Sequence, residues 1–390
     1  MDNQTVINKT KEHIANTYGR YDVAIQRGSG ARCTDFDGKE YIDFTSGIGV
    51  NSLGFCNETW ALAVSRQAQT LNHTSNLYYT EPGALLAERL CKATGMKKAF
   101  FSNSGAEANE GAIKAARKYS YDKYGSGRYE IVTLVNSFHG RTLATITATG
   151  QDVFHQFFDP FVEGFRYAKA NDIDDVLDKV NDQTCAIMIE VIQGEGGILT
   201  LEGDFLNALD KLAKERDILL IVDEVQTGIG RTGTLFAYSH FDLMPNIVTA
   251  AKGLGGGLPI GAILFDEKTQ NVLSPGTHAT TYGANPICCA GANAVLDYLT
   301  DDKLRTITQN NTMITDYILH LPHVKSVSGL GLMIGIEIDI DNQTVVKKCI
   351  EKGLLVLTAK HKIRLLPPLN ITAEEIDAGL AILKDVLHSI

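Results

Sequence analysis

The stretch D-I-L-L-I-V-D-E-V-Q-T-G-I-G-R-T-G, from Asp217 to Gly233, decides the fold class of this chain. An apolar strand, Ile218 to Val222, ends in the carboxylate of Asp223 and is followed by a glycine-rich turn. Apolar runs of this kind that alternate with helical patterns are typical of a parallel sheet with helices on both faces. Ligands bind such sheets at the carboxyl ends of the strands. Asp223 is therefore a candidate ligand-binding residue.

The same alternation of strand and helix patterns extends from about residue 95 to residue 265. Two helices are predicted between the strands, Ala106 to Tyr119 and Gly203 to Arg216. We expect a single α/β domain over this part of the chain. The further strands predicted here are Lys98 to Ser102, Glu130 to Asn136, Cys185 to Ile192 and Gly261 to Phe265.

The two ends of the chain follow a different pattern. Asp37-Gly38 is a strong turn signal between two short strands near the N-terminus. After Pro286 the pattern predicts a long helix, the strands Met333 to Ile338 and Ile363 to Leu366, and a closing helix from Ala373, which suits a smaller α+β domain. We expect an N-terminal segment, 1–55, that packs with the small domain or across a dimer interface, a large domain, 56–284, and a small domain, 285–390.

The composition excludes several classes of protein. With 390 residues, of which 44% are hydrophobic and 21% charged, the chain can bury a large core in about two domains. Its net charge is −10 and it has no basic stripe, so a nucleic-acid partner is not expected. No apolar run approaches the ~20 residues that span a bilayer, and the first residues form no signal core, so we expect a cytoplasmic protein. The seven scattered cysteines lack a C-x-x-C pair and predict reduced thiols, not a metal site.

Lys252 is the only charged residue in the apolar, glycine-rich stretch A-A-K-G-L-G-G-G-L-P, Ala250 to Pro259. A desolvated lysine loses its proton readily, and only the neutral amine reacts with an aldehyde cofactor such as pyridoxal phosphate. The alternative is a solvated lysine on a flexible loop, which this stretch taken alone does not exclude. The motifs that precede it along the chain favour the cofactor.

Two of these motifs follow predicted strands and suit a phosphate and a planar ring. In S-N-S-G-A-E, the backbone N–H groups of Gly105 and Ala106, next to Ser104, can bind a phosphate at a helix N-terminus. A plain serine cap is the alternative. In N-S-F-H-G-R-T, Phe138 can cover a cofactor ring, and Arg141 can hold a substrate carboxylate through two hydrogen bonds. The alternative is a buried phenylalanine and a surface arginine.

The third motif surrounds Asp223. Its carboxylate can pair with a protonated pyridine nitrogen, which keeps the ring able to withdraw electrons. Val225 would then press on the ring face and Gln226 would reach the phenolic oxygen. Asp223 and Glu224 could instead be metal ligands or part of an acidic loop, but no histidine lies nearby in the sequence to support a metal.

Six segments together resemble the subgroup III aminotransferases, which are pyridoxal-phosphate enzymes of fold type I. The resemblance implies a large domain built on a mostly parallel seven-stranded sheet, and a homodimer with a shared active site. It implies that Lys252 carries the cofactor and moves a proton, and that Asp223 holds the ring nitrogen. It also implies that Thr281 of the neighbouring subunit joins Gly105 and Ala106 at the phosphate. The segments are S-G-A-E-A-N-E, S-F-H-G-R-T, E-V-I-Q-G-E-G-G, V-D-E-V-Q-T-G-I-G-R-T-G, A-A-K-G-L-G-G-G-L-P-I-G-A and T-T-Y-G-A-N-P.

The resemblance further implies a switchable ion pair between Glu195, in Q-G-E-G-G, and Arg364, in K-I-R-L-L-P-P-L. One site must accept a donor whose reacting amine is distant from its α-carboxylate, and then glutamate, whose reacting carbon bears that carboxylate. While Glu195 is bound to Arg364, only Arg141 is free to bind the carboxylate of the donor. When glutamate or 2-oxoglutarate binds, Glu195 moves away, so that Arg364 takes the α-carboxylate and Arg141 takes the γ-carboxylate.

The prediction of the amine donor depends on Ile48, in D-F-T-S-G-I-G-V. Family members that use free ornithine carry a tyrosine there, whereas an isoleucine cannot hydrogen-bond a free α-ammonium group. An acetylated nitrogen suits it better. We expect transfer of the δ-amino group of N2-acetylornithine to 2-oxoglutarate, giving N-acetylglutamate 5-semialdehyde and glutamate, as a step of arginine biosynthesis. The alternatives are free ornithine or another ω-amine as donor, a mutase, and a cofactor-binding protein without turnover.

Overall fold

The computed structural model describes residues 1–390 and contains 17 strands and 12 α-helices. The strands are β1 Ile25–Ser29, β2 Arg32–Asp35, β3 Glu40–Asp43, β4 Lys98–Ser102, β5 Glu130–Leu134, β6 Phe165–Ala168, β7 Thr184–Ile189, β8 Ile192–Gln193, β9 Leu199–Thr200, β10 Leu219–Asp223, β11 Ile247–Ala250, β12 Gly261–Phe265, β13 Val324–Leu330, β14 Met333–Ile338, β15 Leu354–Leu355, β16 Leu357–Ala359 and β17 Lys362–Leu365. The helices are α1 Asn3–His13, α2 Ser46–Gly49, α3 Glu58–Thr70, α4 Glu81–Thr94, α5 Gly105–Tyr124, α6 Leu143–Ala148, α7 Ile173–Lys179, α8 Gly203–Arg216, α9 Pro286–Tyr298, α10 Asp301–Leu319, α11 Asn342–Glu351 and α12 Ala373–His388.

Seven strands form the large sheet in the order β4-β12-β11-β10-β7-β5-β6. Strand β12 runs antiparallel to both of its neighbours, and the pairs from β11 to β6 are parallel. The predicted α/β fold class with a mostly parallel seven-stranded sheet is therefore confirmed. Strand β10 lies in the middle of the sheet and is buried along its whole length. This burial explains why the residues of β10 before Asp223 are apolar without alternation.

Helices cover both faces of the large sheet, and the side chains of β10 alternate between them. Leu219 and Ile221 share a core with the alanines of α5. Leu220 and Val222 lie in the other core, together with leucines of α8. The small side chains of α5 let this helix approach the sheet closely, and Ser104 caps its N-terminus by accepting a hydrogen bond from the backbone of Glu107 at 3.1 Å. The helix thereby begins at the carboxyl edge of the sheet.

The N-terminal hairpin packs with the C-terminal part of the chain. Strands β1, β2 and β3 continue into β15 by a parallel pairing of Leu354 with Ile42. A further sheet has the order β13-β14-β17-β16, and a common core joins Phe44 of the N-terminal segment to Ile334 and Ile363 of that sheet. The division into residues 1–55, 56–284 and 285–390 stays a prediction, because α9 shares the core of the large sheet.

Most predicted elements are present, and three predictions need correction. The strand predicted from Cys185 to Ile192 is interrupted after Ile189, so that β7 and β8 are separate. The strand predicted to reach Asn136 ends at Leu134, since Asn136 has a φ of 69° and leaves the extended conformation. The long helix predicted after Pro286 is two helices, with Thr300 capping the second. None of the helices is both long and apolar enough to cross a membrane.

Candidate active site

A cavity of about 450 Å³ lies at the carboxyl edge of the large sheet, where β10 and β11 end. Volumes of this size are typical of small-molecule sites. Residues from all four motifs of the sequence line it, although they are far apart along the chain. The predicted site residues among them are Ser104, Gly105, Ala106, Phe138, Arg141, Asp223, Val225, Gln226 and Lys252.

Asp223 is held rigidly at the end of β10. The backbone N–H of Val225 donates to its Oδ1 at 3.0 Å. Its Oδ2 accepts from Asn109 Nδ2 at 2.7 Å and lies 2.8 Å from His139 Nδ1. Because a carboxylate only accepts, Nδ1 of His139 carries the hydrogen in this contact. Thr249 fixes the amide of Asn109 in turn, since its hydroxyl donates to Asn109 Oδ1 at 2.7 Å. A buried carboxylate with three donors has a fixed orientation, as a partner for a ring nitrogen requires.

Lys252 follows β11 at the start of a single 3₁₀ turn, Lys252–Gly255, and its φ is +42°. Only glycine adopts left-handed backbone without cost, so the surrounding structure must hold this lysine in place. Ser52 Oγ donates to the carbonyl oxygen of Gly253 at 2.5 Å, and Trp60 Nε1 donates to that of Gly255 at 3.0 Å.

The environment of Lys252 favours a reactive amine. Burial lowers the pKa of its amine, and this effect outweighs the opposing charges of Glu195 and Asp223. A larger share of the lysine is therefore neutral, and the neutral amine is the nucleophilic form.

The first turn of α5 forms a cradle for an anion. The N–H groups of Gly105 and Ala106 belong to this turn and have no partner within the helix. A Cβ atom on Gly105 would lie 2.6 Å from Cγ1 of Val225, so a larger residue would push the helix N-terminus and Val225 apart. This close approach fits a ligand that touches both residues, with its phosphate on the helix and its ring against Val225.

Glu195 and Arg364 form an ion pair beside this cavity. The Nη1 of Arg364 donates to Oε1 of Glu195 at 2.6 Å and to Oε1 of Gln226 at 3.2 Å. Arg364 lies on β17 and is buried, whereas Glu195 is half-buried. Burial alone would raise the pKa of Glu195, but the Arg364 guanidinium outweighs it and lowers this pKa. The glutamate is ionised, and the two charges are paired in this structure.

Arg141 differs from Arg364, because its guanidinium has no acidic partner in the chain. It is exposed at the mouth of the cavity, and its Cζ lies 4.0 Å from the ring centroid of Phe154 and 5.6 Å from that of Phe138. One arginine near the cavity is thus masked by a glutamate, and the other is free to bind a carboxylate.

Four predicted site residues lie outside the lining of the cavity in this single chain: Glu195 and Arg364, whose ion pair lies beside it, and Thr281 and Ile48. Thr281 is exposed and does not line the cavity of its own chain. Ile48 is 42% exposed with a φ of 64°, an unusual conformation for a β-branched residue. Its neighbour Val50 lines the cavity instead.

Sequence reasoning missed several residues that line or support the site. Glu190 lies directly after β7 and is buried in the cavity wall, and its Oε2 accepts a hydrogen bond from Phe138 N at 2.8 Å. Burial and the charge of Asp223 raise the pKa of Glu190 well above its usual range. A carboxylate that ends an apolar run was the signal that identified Asp223, and it was present here too. Asn109 and His139 lie within the quoted motifs but received no role.

Residues 13–387 match the class-III aminotransferase family, so the chain belongs to that family. Enzymes of this class depend on pyridoxal phosphate, and this chain is a pyridoxal-phosphate-dependent aminotransferase. It is similar to enzymes named acetylornithine aminotransferase: 54% identical to the one from Haemophilus ducreyi, with 96% of each chain covered, and 44% identical to the one from Methanocaldococcus jannaschii, with 100% of each covered.

Solved structures show the same fold over the whole chain. The N-acetylornithine aminotransferase of Stenotrophomonas maltophilia has a TM-score of 0.85 and 34% identity, with 98% of each chain covered. The ornithine aminotransferase of Toxoplasma gondii has a TM-score of 0.95 and 30% identity, with 100% of this chain and 96% of that one covered. A second structure of the Toxoplasma enzyme has pyridoxal phosphate at partial occupancy in its active site.

Proposed function

We propose that this aminotransferase transfers the δ-amino group of N2-acetylornithine to 2-oxoglutarate, giving N-acetylglutamate 5-semialdehyde and glutamate. The names of the relatives at 44% and 54% identity support this donor. The observation that carries the proposal is the contrast between the two arginines, one paired with Glu195 and one free. A donor that reacts at one end and carries its carboxylate at the other needs a free arginine away from the reacting carbon. Arg141 meets that need.

The residues of the cavity fit the cofactor. Gly105 and Ala106, with Ser104, would bind the phosphate, and Asp223 would bind the ring nitrogen. Phe138 and Val225 would lie on the two faces of the ring, and Gln226 would reach its phenolic oxygen. When bound, pyridoxal phosphate withdraws electrons from the carbon that bears the transferred amino group. The tasks that remain for the protein are to bind the cofactor and substrates and to transfer protons.

Lys252 is proposed as the proton carrier. Its Nζ, whose pKa is lowered by burial, would take the proton from the carbon that bears the amino group and would deliver it again later in the cycle. Asp223 would keep its position at the ring nitrogen, since three hydrogen-bond donors hold its carboxylate. No other amine lines the cavity, so this task has one candidate.

The two carboxylate sites would select the substrates in turn. With the Glu195–Arg364 pair closed, as in this structure, the α-carboxylate of N2-acetylornithine would bind Arg141. For glutamate or 2-oxoglutarate the pair would open, so that Arg364 binds the α-carboxylate and Arg141 the γ-carboxylate. Gln226 contacts both members of the closed pair and would remain a partner for Arg364 after Glu195 has moved.

We further propose a homodimer with a shared active site. Thr281 is exposed in the single chain, next to Tyr282, which is 62% exposed, and Tyr79 is fully exposed. Large exposed aromatic side chains are typical of protein interfaces. A second subunit that covers them would bring its Thr281 to the phosphate. Both substrates belong to amino-acid metabolism, so the proposal includes arginine biosynthesis in the cytoplasm.

Free ornithine is the second candidate donor, favoured by the TM-score of 0.95 to the Toxoplasma enzyme. The deciding experiment follows the visible absorbance of the bound cofactor while either N2-acetylornithine or ornithine is added to purified enzyme. We expect the rate of the absorbance change, divided by the donor concentration, to be much higher for the acetylated donor. Glutamate serves as the control, because both candidate functions require it. A preference for free ornithine would assign the second function.

A further inference from the structure

The exposed guanidinium of Arg141 is held by an aromatic ring. Its Cζ lies 4.0 Å from the centroid of the Phe154 ring and 5.6 Å from that of Phe138. The two rings are themselves 5.8 Å apart at an interplanar angle of 75°, an edge-to-face pair. Phe154 therefore contacts both the arginine proposed to bind carboxylates and the phenylalanine proposed to cover the cofactor.

The backbone explains why Phe154 lies there. The segment after Gly150 runs alongside the loop that bears Phe138 and Arg141. Asn136 N donates to the carbonyl oxygen of Gly150 at 2.7 Å, and Gln151 Nε2 donates to the carbonyl oxygen of Ser137 at 3.0 Å. A 3₁₀ turn, Asp152–Phe154, then brings the ring of Phe154 under the guanidinium. The position of this ring is set by hydrogen bonds to the same loop that it supports.

A ring under the guanidinium has two physical consequences. The face of an aromatic ring is negative and attracts the cation, so a long exposed side chain keeps one orientation. At 4.0 Å from Cζ to the ring centroid, the flat face of the guanidinium can pack on the ring, which leaves its in-plane N–H groups to bind a carboxylate in a two-pronged manner. An arginine that is already ordered loses less conformational entropy when the carboxylate arrives.

We propose that Phe154 is a positioning residue that orders Arg141 and fixes its distance from the cofactor ring through Phe138. This inference rests on the proposed role of Arg141 as carboxylate receptor. Phe154 would thereby contribute to selecting substrates whose carboxylate lies at a set distance from the reacting carbon. Its effect would reach N2-acetylornithine and 2-oxoglutarate alike, since both place their distal carboxylate on Arg141.

The test replaces Phe154 by leucine, which keeps an apolar side chain and removes the ring. For Phe154→Leu we expect KM for N2-acetylornithine and for 2-oxoglutarate to rise about 3- to 30-fold, the range of a cation–π contact, while kcat changes less. Phe154→Tyr keeps the ring and should keep both KM values. Phe157→Leu is the matched control, because Phe157 lies in the same segment and is 89% exposed. Retained cofactor absorbance shows that each variant is folded.

Two further measurements separate this role from a general effect on folding. An alkylamine donor without a carboxylate should react equally with wild type and Phe154→Leu. In an Arg141→Gln background, Phe154→Leu should add nothing further to KM. Equal losses with the alkylamine, additive effects, or the same loss in Phe157→Leu would each overturn the inference. If Arg141→Gln itself leaves KM unchanged, the proposed function of the site fails; if only Phe154→Leu leaves it unchanged, the role of Phe154 alone fails.

Discussion

Replacement of Glu195 by glutamine probes the ion pair that the proposed function needs. The amide has the same shape as the carboxylate and can still accept the hydrogen bond that Arg364 Nη1 now donates to Oε1 at 2.6 Å. What the change removes is the negative charge. Glutamate would no longer need to displace that charge before its α-carboxylate binds Arg364. We therefore expect Glu195→Gln to favour glutamate over N2-acetylornithine.

The magnitude follows from the geometry of the pair. Two unit charges whose centres lie about 4 Å apart attract by about 4 kcal/mol at an effective dielectric constant of 20. Desolvation of the nearly inaccessible Arg364 removes part of this attraction, which leaves about 1–3 kcal/mol. At about 1.4 kcal/mol per factor of ten, the preference should shift by roughly 5- to 150-fold.

The assay compares two half-reactions, each followed by the visible absorbance of the cofactor at increasing concentration of a single amine donor. The quantity of interest is the rate per concentration for glutamate divided by that for N2-acetylornithine. Glu163→Gln is the matched control, since Glu163 is exposed and contributes only its backbone carbonyl to a hydrogen bond. An unchanged ratio in Glu195→Gln would refute the idea that this pair separates the two substrates.

Four further predictions concern single residues. Lys252→Ala should abolish turnover and change the visible spectrum of the cofactor while the oligomer seen by size-exclusion chromatography is retained; persistent transamination would contradict the proton-transfer role. Gly105→Ala should weaken cofactor binding in an equilibrium titration, because its Cβ would lie 2.6 Å from Cγ1 of Val225, and an unchanged affinity would show that the cradle is elsewhere. Ile48→Tyr should shift donor preference towards free ornithine in the paired half-reactions, and an unchanged preference would remove this residue from substrate selection. Burial raises the pKa of Glu224 from 4.5 to about 7, so its protonated form stabilises the fold below pH 4.5 and this stability is lost as the pH rises to about 7. Glu224→Gln should thus raise Tm at pH 8 and have little effect at pH 5, and equal shifts at both pH values would rule out this titration.

The fold was largely predictable because the chain encodes it locally. Strands β4 and β12 and helix α8 have the predicted bounds, since each is an apolar or amphipathic run ended by a polar or turn residue. The wrong or missing predictions concern strand ends and strand pairings that depend on tertiary structure. Asparagine adopts the left-handed conformation more readily than most residues, but its type alone does not decide that Asn136 turns there, and no local signal shows that β15, only two residues long, pairs with β3.

The site was predictable as a set of residues but less so as a geometry. The argument that strand ends share one edge of the sheet placed Asp223, Lys252 and Arg141 near one another, and all three line one cavity in the structure; their roles stay predictions. The spacing could not show that Phe154 lies against Arg141, since that contact depends on how two irregular segments pair through their backbones. Glu190 follows an apolar run as Asp223 does, but the strand was predicted to continue to Ile192, and this error in the strand end hid Glu190 within the strand.

Arg141 has no acidic partner while the Glu195–Arg364 pair is closed, and in the proposed cycle it binds a carboxylate when the pair is open as well, which has a kinetic consequence. A carboxylate-binding arginine that is available in both half-reactions cannot exclude the substrate of the other half-reaction. Each substrate should therefore form dead-end complexes with the enzyme form meant for its counterpart, and 2-oxoglutarate in excess should slow the use of the amine donor. Flux through such an enzyme depends on the ratio of its two substrate pools, so that abundance of one cannot compensate for scarcity of the other.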